Sequence, residues 1–251
     1  MTTLNITITP KRAVISQDHG LYHYNEGELG KAKGGTTTSL EDAAKSAFIG
    51  DGIAPNPEGM ELVQKVTCWP ERRLLIGAAG AYAHTAQWPA YLAEKIPDGD
   101  VSDIADLVPN LLRELIATVP SNIGELVVVH AGWSAAEGRV IGYAYDRSNN
   151  FEPVRLDRGH TLMPTANPDA PEYASLAERW MQAQAGAGIE EFHAELFQNQ
   201  RWSYEQGLLR RGVHISPTYS LASVDAEGAY LLQNFNETPL VQQNATTTMP
   251  E

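Results

Sequence analysis

The hydrophobic residues of this chain change their spacing in blocks, and that alternation limits the folds open to it. Leu4, Ile6 and Ile8 alternate with Asn5, Thr7 and Thr9, a period of two that predicts a strand with one buried face. Pro10-Lys11 marks a turn, and Ala13-Val14-Ile15 predicts the second arm of a hairpin at the extreme N-terminus. A second hairpin is predicted from Val63 to Trp69 and from Arg73 to Ile76, closed by Pro70-Glu71 and ending in Gly77-Ala78-Ala79-Gly80. The period then lengthens to that of a helix from Ala81 to Ile96 and again from Val101 to Val119, with a kink expected at Pro109. Leu107, Leu111, Leu112 and Leu115 form the apolar stripe of the second segment. Strands are predicted near Leu126 to Val129, Val140 to Tyr145, Phe151 to Leu156 and Thr161 to Met163. Two more helical segments follow at about 170–184 and 189–206, then strands from Tyr219 to Val224 and from Ala229 to Phe235. Strand blocks separated by pairs of helices imply two packed sheets with a helix layer on each outer face.

Composition sets further bounds. At 251 residues and 43% hydrophobic content the chain can bury a sizeable core, and one domain is expected over residues 1–235. Residues 19–64, rich in Gly, Thr, Ser, Pro and charge, read as an insertion or lid carrying a short helix-like piece from Ser39 to Phe48. Residues 236–251 are polar and are expected to form a disordered tail. A net charge of −13 argues against nucleic acid and anionic membrane as partners, because both attract basic surfaces. The single cysteine, Cys68, excludes an intrachain disulfide and a cysteine-based zinc cluster, and a reducing, cytoplasmic location is expected. The N-terminus lacks the basic and apolar regions of a secretory signal, and no window approaches eighteen apolar residues. The seven histidines show no metal-ligand spacing and are expected to be solvated or hydrogen-bonded; no cofactor is expected. The five tryptophans are expected to serve packing, in the core or at an interface.

Two segments carry a resemblance. Thr2-Thr3-Leu4 opens a strand hairpin that ends at Ser16-Gln17-Asp18, with Asp18 sixteen residues after Thr2. Lys65-Val66 then leads through a turn and an apolar strand into Gly77-Ala78-Ala79-Gly80, with Gly80 fifteen residues after Lys65. These spacings resemble those of the proteasome β-subunit and HslV-type family of N-terminal nucleophile (Ntn) hydrolases. A weaker third segment runs from Ala131-Gly132-Trp133 through Tyr145-Asp146 to Met163-Pro164-Thr165. The sequence departs from the family in the long stretch between Asp18 and Lys65. It also has no Asp in Arg211-Gly212-Val213-His214-Ile215-Ser216, where the family has an acidic residue and a serine near its last long helix.

The resemblance implies an α+β fold, a four-layer αββα sandwich of two mainly antiparallel sheets between helix layers. It implies a threonine nucleophile, Thr2, exposed when Met1 is removed, whose own α-amino group takes the hydroxyl proton. By the same resemblance Lys65 would steady the hydroxyl oxygen, Asp18 would keep Lys65 charged, and Gly80 would offer a backbone N–H to the oxyanion. Ser216 stands where the family has its late serine, and Thr165 falls roughly where another active-site serine lies. The implied reaction is hydrolysis of peptide or small amide bonds. The implied partners are further copies of the same chain, as a homo-oligomer or ring, and by analogy an ATP-dependent unfoldase. The alternative reading is a catalytically inactive assembly or binding protein of the same fold.

Overall fold

The computed structural model of the protein describes residues 3–18, 20–22, 60–62, 65–80, 82–118, 126–161, 166–171, 173–209 and 215–233. The expected insertion at 19–64 and the tail at 236–251 therefore lie almost wholly outside the described residues, as do Thr2 and Thr165.

The N-terminal hairpin is β1 (Asn5–Ile8) and β2 (Ala13–Asp18), paired antiparallel with Ile6 opposite Ile15. The short strands β3 (Gly20–Tyr22) and β4 (Met60–Leu62) pair with each other. Next come β5 (Thr67–Trp69) and β6 (Leu74–Gly80), then the helices α1 (Tyr82–Lys95), α2 (Val101–Ile104) and α3 (Val108–Thr118). They lead into β7 (Leu126–Ser134), β8 (Arg139–Asp146), β9 (Val154–Leu156) and β10 (Gly159–Thr161). Helices α4 (Tyr173–Gln184) and α5 (Ile189–Glu205) precede the final hairpin, β11 (Tyr219–Val224) and β12 (Ala229–Gln233).

Two five-stranded sheets result, ordered β10-β1-β2-β11-β12 and β5-β6-β7-β8-β9, and every pairing within them is antiparallel. Three apolar layers hold the sandwich. Leu4, Ile6 and Ile15 of one sheet meet Leu75 and Val129 of the other in the middle. Trp88, Leu92 and Leu112 of the first helix group cover the outer face of the second sheet. Phe192, Leu196 and Phe197 of α5 pack on Val14, Tyr219 and Leu221 of the first sheet. The order of layers is helix, sheet, sheet, helix, as the spacing of the hydrophobic blocks predicts.

Several local expectations are corrected. The N-terminal strand does not have a solvated face: Asn5 and Thr7 are as buried as Ile6. Their polar groups are satisfied under α5, where Asn5 exchanges two hydrogen bonds with Gln200 at 3.0 and 2.8 Å. His193 lies 2.7 Å from the Ser16 hydroxyl and 3.0 Å from that of Thr7, bonded at both ring nitrogens. The predicted helix from Val101 to Val119 is two helices. Asp100 starts the first with a capping box, and Pro109 sits in the first turn of the second, where a missing N–H costs nothing. Leu107 falls in the break between them and is exposed, outside the apolar stripe. In the second hairpin β5 begins only at Thr67, and the strand that follows runs through Gly80 instead of stopping at Ile76.

Candidate active site

The last residue of β2 organises the site. Asp18 is fully buried, and one carboxylate oxygen, Oδ1, accepts the Thr3 N–H at 2.7 Å and the Thr3 hydroxyl at 3.2 Å. The Asp18 N–H in turn donates to the Thr3 hydroxyl oxygen at 2.8 Å. The second oxygen, Oδ2, accepts the Ser216 N–H at 3.3 Å and faces the Lys65 Nζ at 3.7 Å. A buried carboxylate needs such partners, since an unpaired charge away from water is costly.

Lys65 precedes β5 by two residues and reaches Asp18 with a side chain only 12% exposed. Burial pulls its ammonium below the ordinary lysine pKa, and the charge and hydrogen bond of Asp18 oppose that shift. Ser216, also fully buried, directs its hydroxyl to the Thr218 carbonyl at 2.6 Å. Gly80 ends β6 on the other sheet with φ of +117°, a backbone that L side chains rarely adopt. Two residues before it, the Ala78 carbonyl accepts a hydrogen bond from Gln17 Nε2 of the first sheet.

Of the residues singled out from the sequence, Asp18, Lys65 and Ser216 converge, Gly80 lies at the facing strand end, and Thr2 and Thr165 are outside the described residues. Thr3 is the residue that sequence reasoning passed over. It contributes three of the hydrogen bonds that fix Asp18, and its signal was the Thr2-Thr3 doublet. Among the described residues no group of three His, Cys, Asp or Glu is placed to hold a metal ion, and no helix is long and apolar enough to cross a membrane.

No protein-family model and no curated protein matches the sequence. Solved structures do. Anbu (ancestral beta-subunit) from Yersinia bercovieri aligns over 93% of this chain and 88% of its own, with TM-score 0.57 and 10% identity. The chain shares its fold with Anbu. The Pseudomonas aeruginosa protein described as a helical assembly of the Anbu complex aligns over 97% and 92%, with TM-score 0.56 and 13% identity. Anbu from Hyphomicrobium sp. strain MC1 aligns over 92% and 85%, with TM-score 0.55 and 10% identity. These matches correct the expectation of a proteasome β-subunit or HslV-type protein: the whole-length likeness is to Anbu, a proteasome-like relative. The two short segments behind that expectation lie within residues 2–18 and 65–80, whereas the Anbu likeness covers more than nine-tenths of the chain. The Ntn-type αββα architecture stands.

Proposed function

We propose that this Anbu-like chain is an N-terminal threonine hydrolase that cleaves peptide or other amide bonds, with Thr2 as nucleophile after Met1 is removed. One observation carries the reading. A buried ammonium, Lys65, is held by a carboxylate that also grips the N–H and hydroxyl of Thr3, the residue covalently joined to Thr2. A leading nucleophile needs a fixed positive charge nearby, and this arrangement supports that reading.

In this reading the Thr2 hydroxyl attacks the substrate carbonyl carbon and its proton passes to the Thr2 α-amine. A free α-amine has a pKa of about 7.7–8.0, so much of it is neutral near pH 8. Lys65 stabilises the charge developing on the hydroxyl oxygen, and Asp18 holds Lys65 in place. The Gly80 N–H receives the substrate oxyanion. The amine leaves with the transferred proton, and water then hydrolyses the threonyl ester. By the resemblance, Ser216 and Thr165 would assist the nucleophile.

Self-assembly is part of the proposal, supported by the helical assembly described for the P. aeruginosa relative. An unfoldase partner rests on analogy alone. A second reading, an inactive protein of the same fold, draws on Ser216, whose hydroxyl is engaged by Thr218, and on the missing acidic residue before it.

A β-lactone probe followed by intact mass separates the two. The enzyme reading expects Met-free protein to gain one adduct and Thr2→Ala to gain none. Met-free protein that stays unlabelled contradicts it.

A further inference from the structure

Gln17 is out of place in its layer. Along β2, Ala13 and Ile15 point into the space between the sheets, where Leu4, Leu75 and Val129 surround them. Gln17 follows at the same spacing and is 1% exposed, so an amide side chain stands where the pattern asks for an apolar one. Its Nε2 donates across the sandwich to the Ala78 carbonyl of β6, and its Oε1 has no partner among the described residues. The amide is thus retained for one bond, and that bond joins the two sheets.

The bond falls between the two halves of the candidate site. Gln17 precedes Asp18 by one residue, and Ala78 precedes Gly80 by two. The β5–β6 pairing sets Thr67 opposite Ile76, Cys68 opposite Leu75 and Trp69 opposite Leu74. Lys65 lies two residues before Thr67, where that pairing begins. The sheets also meet without slack here. A Cβ added to Gly77 would lie 2.8 Å from Leu4 Cδ1 and 3.3 Å from Ile15 Cγ2, closer than side chains pack without displacement.

We propose that Gln17 is a positioning residue: its cross-sheet hydrogen bond fixes the separation between the strand carrying Asp18 and the strand carrying Gly80. This rests on the hydrolase reading for its effect on rate, and on the geometry alone for its effect on the strands. Apolar packing is non-directional and resists only closer approach, whereas a hydrogen bond fixes distance and angle together. Errors of about 1 Å in the placement of reacting groups lower rates as much as a hundredfold.

The test compares Gln17→Met, which keeps the length and loses the donor, with Ile15→Val, which loosens the same layer without touching the tie. Three quantities are read: melting temperature, rate of β-lactone labelling, and amide hydrogen exchange of the segments 13–18, 74–80 and 126–134. Gln17→Met is expected to melt near the wild type, label at least about tenfold more slowly, and exchange faster at 13–18 and 74–80 but not at 126–134. Ile15→Val is expected to melt lower yet label at the wild-type rate. Labelling that merely follows melting temperature in both variants overturns the proposal. If the wild type takes no label, the hydrolase reading fails and exchange decides: unchanged protection at 74–80 in Gln17→Met then overturns the tie.

Discussion

Asp18 and Lys65 form a buried ion pair at 3.7 Å, and they are not equivalent under mutation. Asp18 accepts the Thr3 N–H and hydroxyl and the Ser216 N–H and also faces the Lys65 ammonium, which lies largely out of water. Asp18→Asn removes a carboxylate that faces a buried ammonium and turns an NH2 toward groups that donate. It is expected to cost about 3 kcal/mol or more in urea denaturation. Lys65→Met leaves a carboxylate still bonded to its donors and is expected to cost less, while abolishing labelling. Equal losses, or the reverse order, would contradict this view of the pair. Because Lys65 titrates below its ordinary value in the fold, the unfolded chain holds more protons just beneath that value. Stability attributable to Lys65 should rise with pH there. At this scale Asp18 and Lys65 were legible through the resemblance to the proteasome-type family. The Ser216 N–H and Thr3 were not, because backbone donors and local clamps leave no mark on residue type.

At the scale of elements, α1 is pinned to β7 by Trp88, whose indole N–H donates to His130 Nε2 at 3.0 Å in a stacked pair. Burial, and secondarily the charge of Arg72, hold the His130 pKa down at about 3. The folded protein thus keeps His130 neutral where the unfolded chain, with its ordinary pKa near 6.5, binds a proton. Stability is expected to fall as pH drops from about 6.5 toward 3, by at most about 1.4 kcal/mol per pH unit. His130→Phe should flatten that limb of a melting-temperature profile; an unchanged slope would place the proton elsewhere. The start of α2 offers a second check. Asp100 accepts the Ser102 N–H at 2.7 Å and also the Ala135 N–H at 2.7 Å, tying the helix to the loop after β7. Asp100→Ala should cost about 1 kcal/mol, or roughly 2–4 °C in melting temperature. Periodicity located both helices around this point but merged them, since Val101 and Ile104 continue the apolar pattern that the cap and break interrupt. It also read Asn5 and Thr7 as a wet face, because polar residues paired under a helix look the same in sequence as polar residues facing solvent.

For the whole molecule, the sandwich was legible because strand blocks and helix pairs alternate along the chain, and antiparallel sheets between helix layers bury both kinds of face. The pairing of β1 with β10 and of β2 with β11 was not, because nothing local encodes which distant strand closes a sheet. Which proteasome-like relatives share the whole fold also lay beyond the two short motifs. Assembly belongs to this scale. Light scattering is expected to give a mass several times the 27.4 kDa of one chain. With a net charge of −13 per subunit, the assembly should hold better at high salt than at low, where like charges repel unscreened. A monomer at all salt concentrations would remove assembly from the account.

In the proposed mechanism a leading threonine stands against a buried ammonium. A crystal structure of the Met-free protein measures it as the distance from the Thr2 hydroxyl oxygen to Lys65 Nζ. The account expects hydrogen-bond reach, about 3 Å; a separation beyond about 6 Å, with Lys65 still on Asp18, would contradict it.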